Sequence, residues 1–266
     1  VISGFLITRI ISDEYKKDKK ISFKNFYERR FRRLAPALIL MLIISTIFAY
    51  FILLPNQFIF FIKSVLSSIF FVSNFFFHYS GESYGQSILT HIPLLHTWSL
   101  SIEEQFYLIY PAFLIVALKF GKKNINLILV VFIFLSFLFT LLINKNHGSF
   151  NFYMLPSRGW ELLLGALLAL SEKNQKLKLN NNLKSFLSLI GLCLIIFSFI
   201  FFDSINNHPG YKTLFPVIGA SLIIFCSNSK NFIDKVLSFK ILKNLGLISY
   251  SLYLWHHPIF SFAKIL

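Results

Sequence analysis

The chain contains only two cysteines, Cys193 and Cys226, and each lies inside an apolar run. That scarcity excludes a disulfide framework and argues against a zinc site, so both are expected to act as small apolar packing residues. Charge is also scarce: Asp, Glu, Lys and Arg make up 14% of the residues. No segment alternates apolar and polar side chains with period two, which disfavours a transmembrane β-barrel. Neither an internal repeat nor a low-complexity linker nor a second soluble domain is visible. Three closely spaced metal ligands do not occur, because His91 and His96 are separated by Pro93, and no bound metal is expected. An initiator methionine and a signal-peptide pattern are missing as well. The opening VISGFLITRII reads as the second half of a membrane helix, and WHHPIFSFAKIL simply stops, so an internal piece of a longer protein is expected.

What the sequence has in abundance is apolar surface. Of its 266 residues, 56% are hydrophobic and 34 are Phe, and the mean hydropathy is +0.67. A soluble core could not hide that much, so lipid is the expected solvent for most of it. The formal net charge of +15 invites a nucleic-acid partner. The basic residues fall between apolar runs, however, rather than on one continuous face, which excludes it. Their interrupted pattern is that of cytoplasmic loops obeying the positive-inside rule.

After the N-terminal half-helix comes the most charged stretch, SDEYKKDKKISFKNFYERRFRRL, whose Lys and Arg excess places it on the cytoplasmic side. Long apolar segments follow at Ala35–Leu54, Phe58–Phe77, Thr97–Leu118, Ile125–Ile143, Trp160–Leu170, Phe186–Phe202, Leu214–Cys226 and Leu245–Phe262. These runs predict an all-α, polytopic transmembrane helix bundle with roughly eight to nine membrane segments in a single domain over 1–266. If every segment crosses, the lysine-rich loops GKKN, EKNQKLKLNNNLK and SKNFIDKVLSFKILK fall outside the cell. The lysine-free loops HYSGESYGQSILTHIP and DSINNHPG then fall inside. One fewer crossing before Leu118 repairs this. Phe58–Phe77, with Lys63 and several serines, is the weakest span and is expected to be re-entrant or interfacial.

The polar residues inside these runs are the informative ones, because an ionised group near a bilayer centre costs at least about 3 kcal/mol. In HTWSLSIEEQFYLIYP, the helical period puts His96, Ser99, Glu103, Tyr107 and Tyr110 on one stripe, with Glu104 rotated about 100° away. Leu100, Phe106, Leu108 and Ile109 cover the rest. Glu103 is placed to serve as an acid, a base or a hydrogen-bond anchor; the alternative is a structural glutamate paired with a buried arginine. Trp98 suits either a polar core or an interfacial anchor. In PSRGWELLLGALLAL, Arg158 and Glu161 share one helical face, as an intrahelical ion pair or as part of a polar core. Below them Gly165, Ala166 and Ala169 make a close-packing seam. In FYERRFRRLAPAL, Arg30 and Arg33 lie one turn apart, suited to phosphate oxygens or to anchoring against anionic lipid. In LGLISYSLYLWHHPIF, Ser249, Tyr253 and His256 form another polar stripe, with His257 and Pro258 beside it.

Five stretches, VISGFLIT, RRFRRLAP, HTWSLSIEEQFYLIYP, SRGWELLLGALLA and LGLISYSLYLWHHPI, together resemble the membrane-bound acyltransferase 3 family, which includes O-antigen and peptidoglycan O-acetylases. They occur in the family's order and extend from Val1 almost to Leu266. The resemblance implies an enzyme of the bacterial inner membrane. It would move an acyl group, usually acetyl, from cytoplasmic acyl-CoA to a hydroxyl of an extracytoplasmic carbohydrate such as lipopolysaccharide O-antigen or peptidoglycan. Acyl-CoA would be a co-substrate, with no permanently bound cofactor. Arg30 and Arg33 correspond to the arginine pair linked to the acyl donor. Trp98, Ser99, Glu103, Arg158, Glu161, Tyr253 and His256 become expected members of a common polar core, Glu103 and His256 in roles that support catalysis. The resemblance implies a catalytic histidine upstream of VISGFLIT, so this chain alone is expected to be inactive. A transporter or flippase of a lipid-linked sugar, or a scaffolding membrane protein, would also carry buried charges. Neither explains five ordered blocks.

Overall fold

The computed structural model describes residues 1–18, 22–84, 92–120, 124–144, 147–172, 180–202, 208–226 and 232–266. His91 and most of the loop residues that decide topology lie outside these. All regular elements among the described residues are helical, and they group into two compact units. One unit comprises Val1–Lys19 and Phe106–Lys243, the other Lys20–Gln105 and Asn244–Leu266.

The first unit holds α1 (Ile2–Asp18), the second part of α5 (Thr97–Phe120), α6 (Ile125–Ile143), α7 (Gly148–Tyr153), α8 (Leu155–Glu172), α9 (Asn181–Phe201), α10 (Leu214–Cys226) and α11 (Phe232–Leu237). Helices α1 and α8 meet backbone to backbone. A Cβ built at Gly4 would run into the carbonyl oxygen of Leu162, and one at Gly165 into that of Val1. Ala166 and Ala169 are buried along the same face, so the expected small-residue seam is present and its partner is α1. Gly191 of α9 and Gly219 of α10 make a second such contact, each lying where a Cβ would sit 2.6 Å from the other's carbonyl oxygen. Cys226 is buried but Cys193 is exposed. Only Cys226 therefore packs as expected, because Cys193 falls on the outward apolar face of α9 that also carries the exposed Phe197 and Ile200.

The second unit contains α2 (Phe23–Ile52), α3 (Pro55–Ile69), α4 (Ser73–Tyr84), the start of α5 and most of α12 (Lys240–Ile265). Ser22 caps α2, its hydroxyl accepting the Asn25 amide at 3.3 Å. Helices α2 and α12 run parallel. The Tyr250 hydroxyl donates to the Leu34 carbonyl at 3.3 Å, and twelve positions later the Phe262 ring meets Phe48 at 6.2 Å. Between them Leu38, Met41, Leu42, Leu100 and Leu254 form a buried core with Phe61.

The run Phe58–Phe77 is not one helix. It breaks between α3 and α4, where Phe71 adopts a positive φ of 53°. At 15 residues, α3 is about 22 Å long, short of the ~30 Å hydrocarbon thickness. Ser64, Ser67 and Ser68 bond back to carbonyls of their own helix, which satisfies their hydroxyls at low cost. Among the described residues, four helical segments are long and apolar enough to cross a membrane: Phe23–Ile52, Thr97–Leu118, Ile125–Ile143 and Asn181–Phe201. The chain is an all-α integral membrane protein. These four do not confirm the expected eight to nine segments; among the described residues the other apolar helices are shorter or more polar.

Candidate functional site

Helix α5 carries polar groups on two sides. At about 100° per residue, Thr97, Ser101, Gln105 and Glu104 share one side, and Ser99 and Glu103 the other. The first side docks the break between α3 and α4. Thr97 bonds Ser68 at 2.8 Å and donates to Ser73 at 3.0 Å, and Ser101 meets the Ser73 hydroxyl at 2.7 Å. The Gln105 amide donates to the Phe71 carbonyl at 2.9 Å and to Asn74 at 2.8 Å. The backbone strain at Phe71 is thus clamped by a side chain from a separate helix.

On the same side, Glu104 receives Arg30. The guanidinium Nε donates to both carboxylate oxygens at 3.0 and 3.1 Å, and Nη2 donates to Oε1 at 2.8 Å. Their side chains are 20% and 14% exposed. Such a bidentate pair fixes the plane of the guanidinium as well as its charge. A buried arginine partner therefore exists for this block, but it belongs to Glu104; Glu103 is half-buried on the opposite side. Arg33, one turn beyond Arg30, is exposed.

The second side of α5 faces α12. The Tyr253 hydroxyl donates to the His96 carbonyl at 2.5 Å and accepts from the Ser99 hydroxyl, also at 2.5 Å. Around it stand three imidazoles. The His96 ring stacks on His257 with centroids 5.3 Å apart, and meets His256 edge-on at 5.5 Å and Tyr253 at 5.3 Å. His256 Nδ1 donates to the Tyr253 carbonyl at 2.6 Å, and His257 Nδ1 to the Pro93 carbonyl at 3.2 Å. His96 is 6% exposed; burial first, then the neighbouring His257 and His256, pushes its pKa down to about 3. One stacked and two edge-on ring contacts join the three imidazoles, and among the described residues no group of ligands converges to hold a metal ion. Trp98 is half-buried beside this cluster in sequence, while Ser249 is exposed at the far end of its stripe.

In the first unit, Arg158 and Glu161 form the expected intrahelical pair at 3.7 Å. Arg158 Nε also donates to the Phe152 carbonyl at 2.9 Å, and its guanidinium lies over the Phe152 ring at 4.8 Å. Thr8 of α1 donates to the Tyr110 hydroxyl at 2.9 Å, so Tyr110 turns inward while Leu108 and Ile109 are 66% and 61% exposed. That division agrees with the amphipathic pattern, except that Leu100 and Phe106 are buried as well.

Beside this geometry stands the chain's likeness to known proteins. The model of the acyltransferase domain matches residues 1–265. The chain belongs to the acyltransferase 3 family. It is 34% identical over 276 residues to the peptidoglycan O-acetyltransferase OatA of Listeria monocytogenes, covering 98% of this chain and 44% of that protein. It is 32% identical over 274 residues to the O-acetyltransferase OatA of Staphylococcus aureus, covering 99% and 45%. The chain thus spans less than half the length of these curated relatives. No solved structure matches it.

The acyltransferase 3 blocks divide between the units. RRFRRLAP and LGLISYSLYLWHHPI lie in the second with the start of HTWSLSIEEQFYLIYP, and VISGFLIT and SRGWELLLGALLA in the first. In this acyltransferase domain the residues that sequence reasoning passed over are Glu104, Gln105 and the full histidine cluster. The spacing of Thr97, Ser101 and Gln105 is the signal that could have exposed the second polar side of α5.

Proposed function

We propose that this chain is the membrane part of an O-acyltransferase that moves an acyl group, acetyl foremost, from cytoplasmic acyl-CoA to a hydroxyl of cell-wall carbohydrate beyond the bacterial cytoplasmic membrane. The observation that carries this reading is the Arg30–Glu104 fork, which joins the arginine block to the glutamate block of the family's pattern. Arg33, exposed one turn away, meets the phosphates of the donor, and Glu104 holds Arg30 in register beside it. The name of the Listeria relative, a peptidoglycan O-acetyltransferase, favours peptidoglycan over O-antigen sugars as the acceptor. The acceptor oxygen attacks the thioester carbonyl, and its proton goes to the histidine that the family resemblance places upstream of VISGFLIT. Glu103 and His256 support that chemistry from the second unit. Arg158 and Glu161 belong to the polar framework of the first.

The test is to incubate the full-length protein in lipid nanodiscs with radiolabelled acetyl-CoA and peptidoglycan fragments. Label is expected on glycan hydroxyls. Movement of a lipid-linked sugar with no acylated product would establish the transporter alternative instead.

A further inference from the structure

A neutral imidazole has one N–H to donate and one lone pair to accept. Both ring nitrogens of His96 are buried and neither is in hydrogen-bond geometry with a partner. The carbonyls of Leu254 and Pro93 lie near enough to favour a protonated ring, but they complete no bond. The neighbouring donors are already committed: His256 Nδ1 to the Tyr253 carbonyl, His257 Nδ1 to Pro93, and the Tyr253 hydroxyl to the His96 backbone. A buried donor left open in this way is costly and calls for an explanation, of which a catalytic role is one.

The surroundings also decide what kind of group this is. Burial together with two imidazole neighbours keeps the ring neutral at any pH at which a cell works. A ring so hard to protonate is a poor general base for a hydroxyl. A neutral N–H, in contrast, suits a carbonyl oxygen that gains negative charge during reaction. His96 lies eight positions before Glu104, about 12 Å at helical rise. In acyl-CoA, a long flexible arm separates the phosphates from the thioester. His256 is exposed, and Ser99 and Tyr253 are half-buried, so the ring lies one side chain below a surface.

We propose that His96 is a carbonyl-polarising residue, whose N–H binds the thioester oxygen of the acyl donor and holds the charge that forms there. This rests on the acyl-transfer reading above. In the step, the acceptor hydroxyl oxygen bonds to the thioester carbon and the carbonyl π pair moves onto the oxygen facing His96. Collapse reforms the carbonyl and breaks the C–S bond. The hydroxyl proton ends on the departing sulfur, leaving an ester and free CoA thiol.

The experiment uses the full-length protein in nanodiscs with acetyl-CoA labelled with carbon-13 at the carbonyl. Isotope-edited infrared spectra of the bound donor are expected to show its carbonyl stretch shifted to lower frequency than free acetyl-CoA, with the shift lost in His96→Ala. His96→Ala should lower kcat on the order of 100-fold while leaving the acetyl-CoA KM within about threefold. His96→Gln, which restores a neutral N–H, should recover at least about tenfold of that loss. Bound donor with an unshifted carbonyl in the wild type overturns the inference and leaves the acyltransferase reading standing. Unchanged kcat in His96→Ala overturns it too, as do equally inactive Ala and Gln variants that still bind donor. Failure of the wild type to bind acetyl-CoA at all overturns the function proposed above, and this inference with it.

Discussion

Arg30 and Glu104 close a bidentate ion pair across 74 positions of sequence, through three hydrogen bonds between 2.8 and 3.1 Å. The adjacent carboxylate, Glu103, points to the other side of the same helix. Two neighbouring residues of identical chemistry are thereby given different surroundings. One is bound into a framework with an arginine, and the other is half-buried on the side that carries Ser99.

This difference separates stability from activity. Glu104→Gln should lower unfolding stability by about 2 kcal/mol, because it weakens the charge-assisted hydrogen bonds of a mostly buried guanidinium. Glu103→Gln should cost less stability than Glu104→Gln and yet nearly abolish acyl transfer. Denaturant titration in detergent, run beside a transfer assay, reads both. Equal destabilisation by the two variants would remove the distinction.

Arg33 is exposed, so its removal should cost little structure. Arg33→Ala is expected to raise the acyl-CoA KM about tenfold, the loss of roughly one charge-assisted contact to phosphate. The yield of folded protein should not change. An unaltered KM would place the donor phosphates elsewhere.

Gly4 and Gly165 leave no room for a methyl group, since each would meet a backbone carbonyl of the facing helix. Gly4→Ala and Gly165→Ala should each destabilise the first unit by about 1–3 kcal/mol. Gly246→Ala is the control, as nothing lies within 4 Å of the added Cβ. Thermal unfolding midpoints of the three variants provide the comparison.

Stability should also depend on pH through His96. The ordinary imidazole pKa near 6.5 falls to about 3 in the folded chain, so the unfolded chain binds a proton that the folded one refuses. The contribution is full above pH 6.5 and is lost as pH falls from there towards 3, at about 1.4 kcal/mol per unit for one proton. His96→Gln should flatten that slope in a series of unfolding curves between pH 4.5 and 7. A slope identical to the wild type would mean that the ring is protonated in the folded state.

Much of the architecture was legible beforehand. Ile125–Ile143 is a helix with the very bounds of its apolar run, and the seam at Gly165, Ala166 and Ala169 is where small residues at helical spacing put it. The break in Phe58–Phe77 at Phe71 was not legible, because the run reads as one apolar segment. The elbow there is held by Gln105, 34 positions away, and no local pattern near Phe71 records that bond.

What the sequence determined alone is the helical membrane class, the order of the motif blocks and which side chains share a helix face. Composition and period are local properties, and a lipid solvent enforces them on each segment separately. What only the tertiary structure decided is which partner approaches each face. Arg30 chose Glu104 over Glu103, and the rings of His96, His256 and His257 came together. Those pairings depend on helices far apart in the chain meeting at one level, and a 3.6-residue period carries no information about that distance.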